Sequence, residues 1–406
     1  MGNKKAFRFR ILPSNLDTFA IQTIAVSFLL KIIYAYSRPI FNSGPDANGY
    51  IPMATDIAHF GLFSSDISGL PLYPIGYGAF LSVFAILSEF RWIYLAQFAQ
   101  IFLISFASYL FFSLVKTYFN RVVACLSLVV FLFNPSILTM TTQAMYEPLL
   151  ISIMICVYYF SFISFPKNSF NGYLRHLLVG ILIGLAVVIH PRSIFILAIP
   201  LLFVTKNSLK PKKLIYLFSG TFLIIGAALL RNFEALGFLT LSSATKYAVA
   251  YGHKTIGLCE SSFCYLGKAL DNPSTYVLES IENFIYFFTP NSGPLSRGTW
   301  FHNISISSFL DKNGYQSLAW ITSGLAIFIF FAIFVIGSWL YCRANRFVLY
   351  LILSLILLTA ITDAAVYGDS RHRLVVMPFI IPIQVYGVLY IFRKVPSEKL
   401  RNSLEE

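Results

Sequence analysis

The sequence predicts an all-α protein, a polytopic bundle of transmembrane helices with about ten spans. Of its 406 residues, 57% are hydrophobic and 12% are charged, about half the roughly 25% charged residues of a soluble domain. The mean hydropathy is +0.73. The apolar residues form continuous runs instead of alternating, which indicates membrane-spanning helices and not the strands of a barrel.

Ten apolar runs account for the predicted spans. They cover residues 18–38, 92–115, 121–141, 146–165, 176–190, 193–205, 213–233, 316–341, 346–366 and 374–392. The fifth and sixth runs are short and meet at the sequence HPRS, residues 190–193. Because a proline-interrupted pair of short helices leaves polar groups inside the membrane, we expect this break to lie beside protein or a wet cavity.

The positive charges determine the predicted orientation. Six segments on one side of this scheme hold 18 of the 30 lysines and arginines, namely the N-terminus, 116–121, 166–176, 206–213, 342–346 and the C-terminal tail. Since cytoplasmic loops are enriched in Lys and Arg, we place both termini in the cytoplasm. The net charge of +13 then does not indicate a nucleic-acid partner. We interpret the membrane as a bacterial inner membrane, with the endoplasmic reticulum as the alternative.

The apolar run 71–88 is not counted as a span, because counting it would reverse every later loop. We expect it to form a helix lying along the outer interface or dipping into it. The chain then divides into three parts. These are an N-terminal transmembrane module (1–233) whose first outer loop (39–91) carries the candidate catalytic acid, an extracytoplasmic cap loop of short helices (234–315), and a C-terminal transmembrane module (316–406).

The first outer loop contains the sequence PDANGYIPMATDIAHFG. Asp46 follows a Gly-Pro turn signal, and Tyr50, Met53, Ile57 and Phe60 then recur at helical spacing. We expect an amphipathic helix lying on the membrane, with Asp46 at its start. The carboxylate is either a solvated cap of this helix or, when partly desolvated, a base for an acceptor hydroxyl. The residues alone favour the cap.

Glu147 lies at the outer end of the fourth span, in the sequence MYEPLL. One interpretation is an interfacial charge in the first helical turn, followed by the helix-starting Pro148. The other is a second carboxylate that faces Asp46 as a metal ligand or an orienting group. A divalent metal ion held by Asp46 and Glu147 is thus the one candidate cofactor.

Basic side chains gather on the same outer side. His190 and Arg192 at the HPRS break are either snorkelling interface residues or part of a site. Arg371, His372 and Arg373 lie in the sequence YGDSRHRLVVMPF, just before the last span. Two guanidinium groups suit a phosphate, and anchoring to lipid headgroups is the alternative.

Three further charges lie within or at the end of spans. Arg231 is either another anion contact or a simple helix terminus. Lys31, within the first span, is either lipid-embedded or cavity-facing, and Asp363 in the ninth span is similar. Outside the spans, Cys259 and Cys264 fit a small disulfide-closed loop if that side is oxidising.

Taken together, these pieces resemble a known family. The chain is similar to the polytopic GT-C glycosyltransferases that use lipid-phosphate sugars, in the branch of protein O-mannosyltransferase-like and aminoarabinose-transferase-like enzymes. The matching pieces, in the family's order, are PDANGYIPMATDIAHFG, LPLYPIGYGAFLS, MYEPLL, HPRSIFILAIPLL, LLRNFEALG and SRHRLVVMPFIIP.

The resemblance implies a GT-C-like fold of transmembrane helices, with interfacial helices in the first outer loop and an active site at the outer membrane surface. Asp46 matches the family's catalytic carboxylate and Glu147 its second acidic position. Ala47 stands where the family often has a further acid. Arg371 and Arg373 match the late basic motif, for which the resemblance implies contact with the donor phosphate.

The expected function is therefore inverting transfer of a sugar from a polyprenyl-phosphate donor to a hydroxyl group, on the periplasmic or lumenal face. The acceptor is a glycan, a lipid-linked sugar or a protein. Arg231 joins Arg371 and Arg373 as a candidate phosphate ligand. Candidate substrate contacts are Tyr50, Tyr73, His190, Arg192 and His372. A transporter or flippase of a lipid-linked saccharide is the alternative, and a structural membrane subunit is a third.

Overall fold

The computed structural model describes residues 16–37, 46–68, 73–162, 170–197, 211–237, 239–242, 262–288, 329, 331–342, 345–364 and 372–392. All regular structure in these ranges is helical, as the continuous apolar runs predict. The helices are α1 (Leu16–Ser37), α2 (Ala47–Phe60), α3 (Ile75–Leu87), α4 (Trp92–Tyr118), α5 (Arg121–Leu132), α6 (Pro135–Thr141), α7 (Glu147–Phe162), α8 (Phe170–Ile189), α9 (Pro211–Leu236), α10 (Ser262–Asp271), α11 (Pro273–Phe288), α12 (Phe331–Cys342), α13 (Arg346–Ala364) and α14 (Met377–Ile391). Two 3-10 helices, Pro191–Leu197 and His372–Val376, precede α9 and α14.

Five helical segments are long and apolar enough to cross a membrane. They are α1, α4, α9, the Gly172–Ile189 part of α8, and Leu374–Ile391, which includes α14. The pair α5 and α6 passes the same test as one span, although it is bent by 54°. The protein is therefore an integral membrane protein, and its described residues account for five or six spans. The expected number of about ten is not confirmed.

The bend between α5 and α6 coincides with polar groups that end one helix and begin the next. The Asn134 side-chain oxygen accepts the backbone N–H of Ser136 at 2.9 Å and so starts α6. The Leu132 carbonyl, at the end of α5, accepts from the Lys31 ammonium at 3.5 Å, and Ser27 accepts from it at 2.6 Å. Lys31 is fully buried, so it lies inside the protein and is not lipid-embedded.

The expectation of a short fifth span is wrong. Helix α8 has 20 residues and begins at Phe170. Arg175 and His176, which the predicted scheme places in a cytoplasmic segment, lie within this helix. The His176 Nδ1 donates to the Gly172 carbonyl at 2.6 Å, which satisfies the ring within the first turns. The expected break after the helix is present, since the chain continues as the 3-10 helix Pro191–Leu197. The rest of the sixth run lies outside the described residues.

Helices α8 and α9 approach each other closely through glycines. Gly180 and Gly184, four residues apart on α8, lie against the backbone of Leu217 and Thr221 on α9, and Gly220 lies against the backbone of α8. The Thr221 hydroxyl donates to the Gly180 carbonyl at 3.1 Å. Small residues at this spacing are typical of transmembrane helices that pack backbone to backbone.

The first outer loop folds into α2 and α3, which pack against each other. The face of α2 that carries Tyr50, Met53 and Ile57 is buried in the protein, and only Phe60 of the predicted apolar face is exposed. The expectation that this face lies on the membrane is therefore wrong for the three buried residues. Helix α3 has 13 residues, fewer than the roughly 20 that a span needs, and it is one of the shorter apolar helices of the described residues.

Helices α10 and α11 lie in the expected cap loop, and α11 packs against α13 and the His372–Val376 turn. Cys264 takes part in a disulfide, as the predicted Cys259–Cys264 loop requires. Cys259 itself lies outside the described residues, as does the side chain of Asp363.

Candidate active site

Asp46 occupies the N-cap position of α2. Its backbone carbonyl accepts hydrogen bonds from the N–H groups of Gly49 and Tyr50, each at 3.1 Å. Its side chain makes no capping hydrogen bond, whereas Asn120 caps α5 by accepting the N–H of Val123 at 2.8 Å. Because a capping Asp accepts an N–H of the first turn, the interpretation of Asp46 as a side-chain cap is wrong. Its carboxylate serves another interaction.

Glu147 is the first residue of α7 and is fully buried. The interpretation as a charge at the water interface is therefore wrong. The N-terminus of a helix stabilises a negative charge through the aligned backbone dipoles, and Pro148 follows at a position where its missing N–H costs nothing. Helix α7 thus begins with a carboxylate held inside the protein.

Both carboxylates influence Tyr77 of α3. This side chain is fully buried, and both Glu147 and Asp46 act on it electrostatically. Burial raises the pKa of the Tyr77 hydroxyl well above its usual range, and the charges of Glu147 and then Asp46 raise it further. The structure therefore places the two predicted acids within electrostatic reach of one phenol.

An aromatic cluster surrounds this phenol. The ring centroid of Tyr50 lies 5.0 Å from that of Tyr73, 4.9 Å from that of Tyr77 and 6.4 Å from that of Tyr146. Tyr146 in turn stacks on His190, with centroids 4.9 Å apart and an angle of 20° between the rings. Three of the five predicted substrate contacts, Tyr50, Tyr73 and His190, thus belong to one cluster.

Close glycine packing brings these elements together. A Cβ on Gly49 would collide with the ring of Tyr73, and a Cβ on Gly76 would lie 2.7 Å from backbone atoms of Val188 and Ile189. Real Cβ contacts are not this short, so a side chain at either position would separate the helices. The glycines place α2 on Tyr73, and they place the start of α3 on the end of α8, where His190 follows.

Two glutamines of α4 hold the irregular segment 142–146 that precedes Glu147. The Gln97 amide donates to the Thr142 carbonyl at 2.8 Å, and the Gln100 amide donates to the Gln143 carbonyl at 2.9 Å. Both glutamines are buried. The sequence reasoning missed them together with Tyr77 and Tyr146. The available signal was a pair of amides three residues apart in an apolar run, since buried polar groups in membranes need partners.

Arg231, near the end of α9, reaches the first outer loop. Its guanidinium donates to the carbonyls of Leu62 at 2.6 Å and Ser64 at 3.1 Å, and to the Asn232 side chain at 2.8 Å. Only 1% of Arg231 is exposed. These bonds favour the interpretation as a helix terminus that ties two parts of the chain together over that of an anion contact.

The remaining predicted residues are only partly described. Arg192 is half-buried within the 3-10 helix after His190. The backbone of His372 and Arg373 belongs to the 3-10 helix that packs against α7 and α13, while their side chains and Arg371 lie outside the described residues. The assignment of the basic motif to a phosphate therefore stays a prediction.

The two acids also bear on the candidate metal site. Carboxylate oxygens are suitable ligands for a hard divalent cation. Across the ranges described above, however, no group of three or more His, Cys, Asp or Glu side chains is arranged to hold a metal ion. Asp46 and Glu147 supply two carboxylates, and a metal held between them stays a prediction.

A cavity lies elsewhere in the bundle, among α4, α7, α13 and α14. Its lining is apolar and aromatic, with Tyr118, Tyr158 and Phe379 among the lining residues. It shares no residue with the aromatic cluster around Tyr77, so it is not part of the candidate active site.

The fold is similar to that of a solved membrane enzyme. This is the archaeal oligosaccharyltransferase AglB from Archaeoglobus fulgidus, in complex with an inhibitory peptide and a dolichol-phosphate. The TM-score is 0.50, the sequence identity is 13%, and the match covers 95% of this chain. The chain spans about half the length of AglB, 51%. At this identity the similarity shows the fold alone. No family model and no curated protein matches the sequence.

Proposed function

We propose that the protein is a membrane glycosyltransferase that moves a sugar from a polyprenyl-phosphate donor to a hydroxyl acceptor at the outer face of the membrane. The observation that carries the proposal is that Glu147 and Asp46 both act electrostatically on the buried Tyr77, with the Asp46 side chain not used as a helix cap. The fold similarity to AglB, which was solved with a dolichol-phosphate, supports the same class of donor.

In the proposed reaction, the Asp46 carboxylate takes the proton of the acceptor hydroxyl. The acceptor oxygen then attacks the anomeric carbon through an oxocarbenium-like transition state. The bond between this carbon and the phosphate oxygen breaks, and the lipid phosphate leaves with the electron pair. A single displacement of this kind inverts the anomeric centre. Arg371 and Arg373 hold the developing charge on the leaving phosphate.

Glu147 and the aromatic cluster orient the substrates in this proposal. A carboxylate buried at the start of α7 accepts hydrogen bonds from an acceptor hydroxyl, or supplies a ligand to a divalent cation together with Asp46. Such a cation would provide positive charge near the reacting oxygens when bound. Tyr73 and His190 are half-buried. Tyr73 packs against Tyr50 and His190 against Tyr146, so they are the proposed sugar contacts, with Tyr50, Arg192 and His372 as further ones.

The test is sugar transfer by the purified protein in nanodiscs, with a pool of radiolabelled polyprenyl-phosphate sugars as donor and a mixture of glycan, lipid-linked and peptide acceptors. We expect transfer by the wild type and a loss of at least about a hundredfold in Asp46→Asn, the lower end of general-base effects. Asp66→Asn is the matched control, because it removes an exposed carboxylate from the same loop.

Three results would count against the proposal. Equal transfer by wild type and Asp46→Asn would remove Asp46 from the mechanism. Equal losses in Asp46→Asn and Asp66→Asn would indicate a general effect of loop charge. Absence of transfer, with movement of the labelled lipid between leaflets intact in wild type and in Asp46→Asn, would favour a flippase of lipid-linked saccharides.

A further inference from the structure

The segment between α6 and α7 determines where Glu147 lies. Residues 142–146 have no regular structure, and Ala144, Met145 and Tyr146 are buried. The Met145 N–H donates within the segment, to the Gln143 carbonyl at 2.9 Å. The remaining backbone groups of an irregular buried segment need partners from other elements, so the groups that bond to it also fix the start of α7.

Gln100 of α4 bonds to this segment in a single orientation. Its amide nitrogen faces the carbonyls of Met140 at 3.3 Å, Thr141 at 3.1 Å and Gln143 at 2.9 Å. Because carbonyls only accept, the NH₂ group must face them and Oε1 must face the other way. Oε1 accepts the hydroxyl of Tyr77 at 2.8 Å.

The direction of the Tyr77 hydroxyl follows from this orientation. Since Oε1 of Gln100 has no proton, the Tyr77 hydroxyl donates to it. Tyr77 is thereby joined to α4 and, through the amide of Gln100, to the carbonyl of Gln143, four positions before Glu147. On its other side, the Tyr77 ring packs at 4.9 Å and 88° against Tyr50, whose N–H bonds to the Asp46 carbonyl.

We infer that Tyr77 and Gln100 are positioning residues that hold Glu147 in a fixed place relative to Asp46. The hydroxyl of Tyr77 and the amide of Gln100 form one connected clamp on the segment before α7, while the ring of Tyr77 supports the first turn of α2. Neither residue exchanges a proton with substrate in this arrangement, because the Tyr77 proton is donated to Gln100 and the Gln100 amide bonds to backbone carbonyls. The catalytic part of the inference rests on the proposed function, whereas the clamp itself does not.

The first experiment measures the clamp without any enzyme assay. Ala144→Cys introduces a thiol at a fully buried position of the segment, and its rate of labelling by a maleimide reports how often the segment opens. We expect Tyr77→Phe to raise this rate by about tenfold or more, because it leaves Oε1 of Gln100 buried without its partner. Tyr158→Phe is the matched control, with an expected rate within about twofold of the parent.

Tyr158 suits this role because it is a buried tyrosine of α7 whose hydroxyl has no hydrogen-bond partner in the described part of the chain. Gln100→Asn is a second test variant, since it keeps the amide but is one methylene shorter and cannot reach both Tyr77 and the carbonyls. The double variant Tyr77→Phe/Gln100→Asn should label no faster than the faster single variant, because both changes break one connected unit. Rates for Tyr77→Phe and Gln100→Asn equal to that of Tyr158→Phe would overturn the inference.

The second experiment tests the consequence for catalysis. In the transfer assay we expect Tyr77→Phe to lower kcat by about tenfold or more and to change KM for the donor by less than about threefold, since a displaced carboxylate affects the reacting geometry and not lipid binding. Faster labelling with unchanged kcat would overturn the positioning role. Absence of transfer by the wild type would refute the proposed function, while the labelling rates would still support or overturn the clamp.

Discussion

The ring of Tyr146 lies stacked on the imidazole of His190, with centroids 4.9 Å apart. Tyr146 immediately precedes Glu147, and His190 directly follows α8. The stack therefore joins the start of α7 to the break at HPRS, two parts of the chain that are distant from each other in the sequence. It also connects His190 to the candidate site.

Two replacements of His190 distinguish its contribution to stability from a contact with the substrate. We expect His190→Ala to lower the free energy of unfolding by about 0.5–1.5 kcal/mol, because it removes an aromatic pair. His190→Phe retains the stack and should stay close to wild type in stability. The measurement is denaturant-induced unfolding in micelles, beside the transfer assay. A stable His190→Phe protein without transfer would mean that the imidazole contacts the substrate itself.

The N-cap geometry of Asp46 gives a prediction about stability. Because the side chain makes no capping bond, we expect Asp46→Ala and Asp46→Asn to have the same free energy of unfolding within about 0.5 kcal/mol, since asparagine would keep a cap and alanine would not. At Asn120, whose side chain does cap a helix, Asn120→Ala should cost about 1 kcal/mol while Asn120→Asp retains the cap. Unfolding of the four variants under identical conditions checks this. An Asp46→Ala protein less stable than Asp46→Asn by about 1 kcal/mol would restore the interpretation of Asp46 as a cap.

The bonds of Arg231 distinguish its two sequence interpretations. The guanidinium of Arg231 donates to two backbone carbonyls and to the Asn232 side chain. The single ammonium group of Arg231→Lys cannot make all three bonds, so we expect the free energy of unfolding to fall by on the order of 3 kcal/mol. Donor affinity, measured on the fraction that remains folded by binding of unreactive polyprenyl phosphate, should stay unchanged. A stable variant with weakened lipid-phosphate binding would instead assign Arg231 to the phosphate.

The contact between α8 and α9 predicts opposite effects for two glycines of one helix. Gly220→Ala places a methyl group against the backbone of α8, and we expect a loss of about 1–3 kcal/mol from overpacking. Gly226, also on α9, has open space where its Cβ would lie. Gly226→Ala should therefore leave stability unchanged or raise it by up to about 1 kcal/mol. Equal effects at both positions would contradict the observed packing.

Much of the candidate site follows from the sequence because its residues carry strong local signals. Asp46 stands after a turn, Glu147 stands before a proline, and His190 stands at a proline break. Each signal places a polar residue at a helix end on the predicted outer side. In the structure, Asp46 and Glu147 act electrostatically on Tyr77, and His190 stacks on Tyr146. These are tertiary interactions, which the spacing of residues along the chain does not predict.

The residues that sequence reasoning missed act through packing. Tyr77 occurs in an apolar run where a tyrosine is unremarkable, and its importance depends on the orientation of α3 about its own axis. The start of α8 was missed for a related reason. The predicted scheme places Arg175 in the loop 166–176, yet a long side chain near a helix end can keep its charge in water while the helix continues. The contact between Arg231 and Leu62 likewise joins residues 169 positions apart.

Arg231 holds the loop after α2 by donating to the main-chain carbonyls of Leu62 and Ser64. These bonds do not depend on which side chains the loop carries. Every amino acid carries the same carbonyl, so substitution at Leu62 or Ser64 leaves the anchoring bonds in place. The side chains of Leu62 and Phe63 meanwhile point to the surface, 38% and 57% exposed. The side chains of this loop can therefore change while its position stays the same.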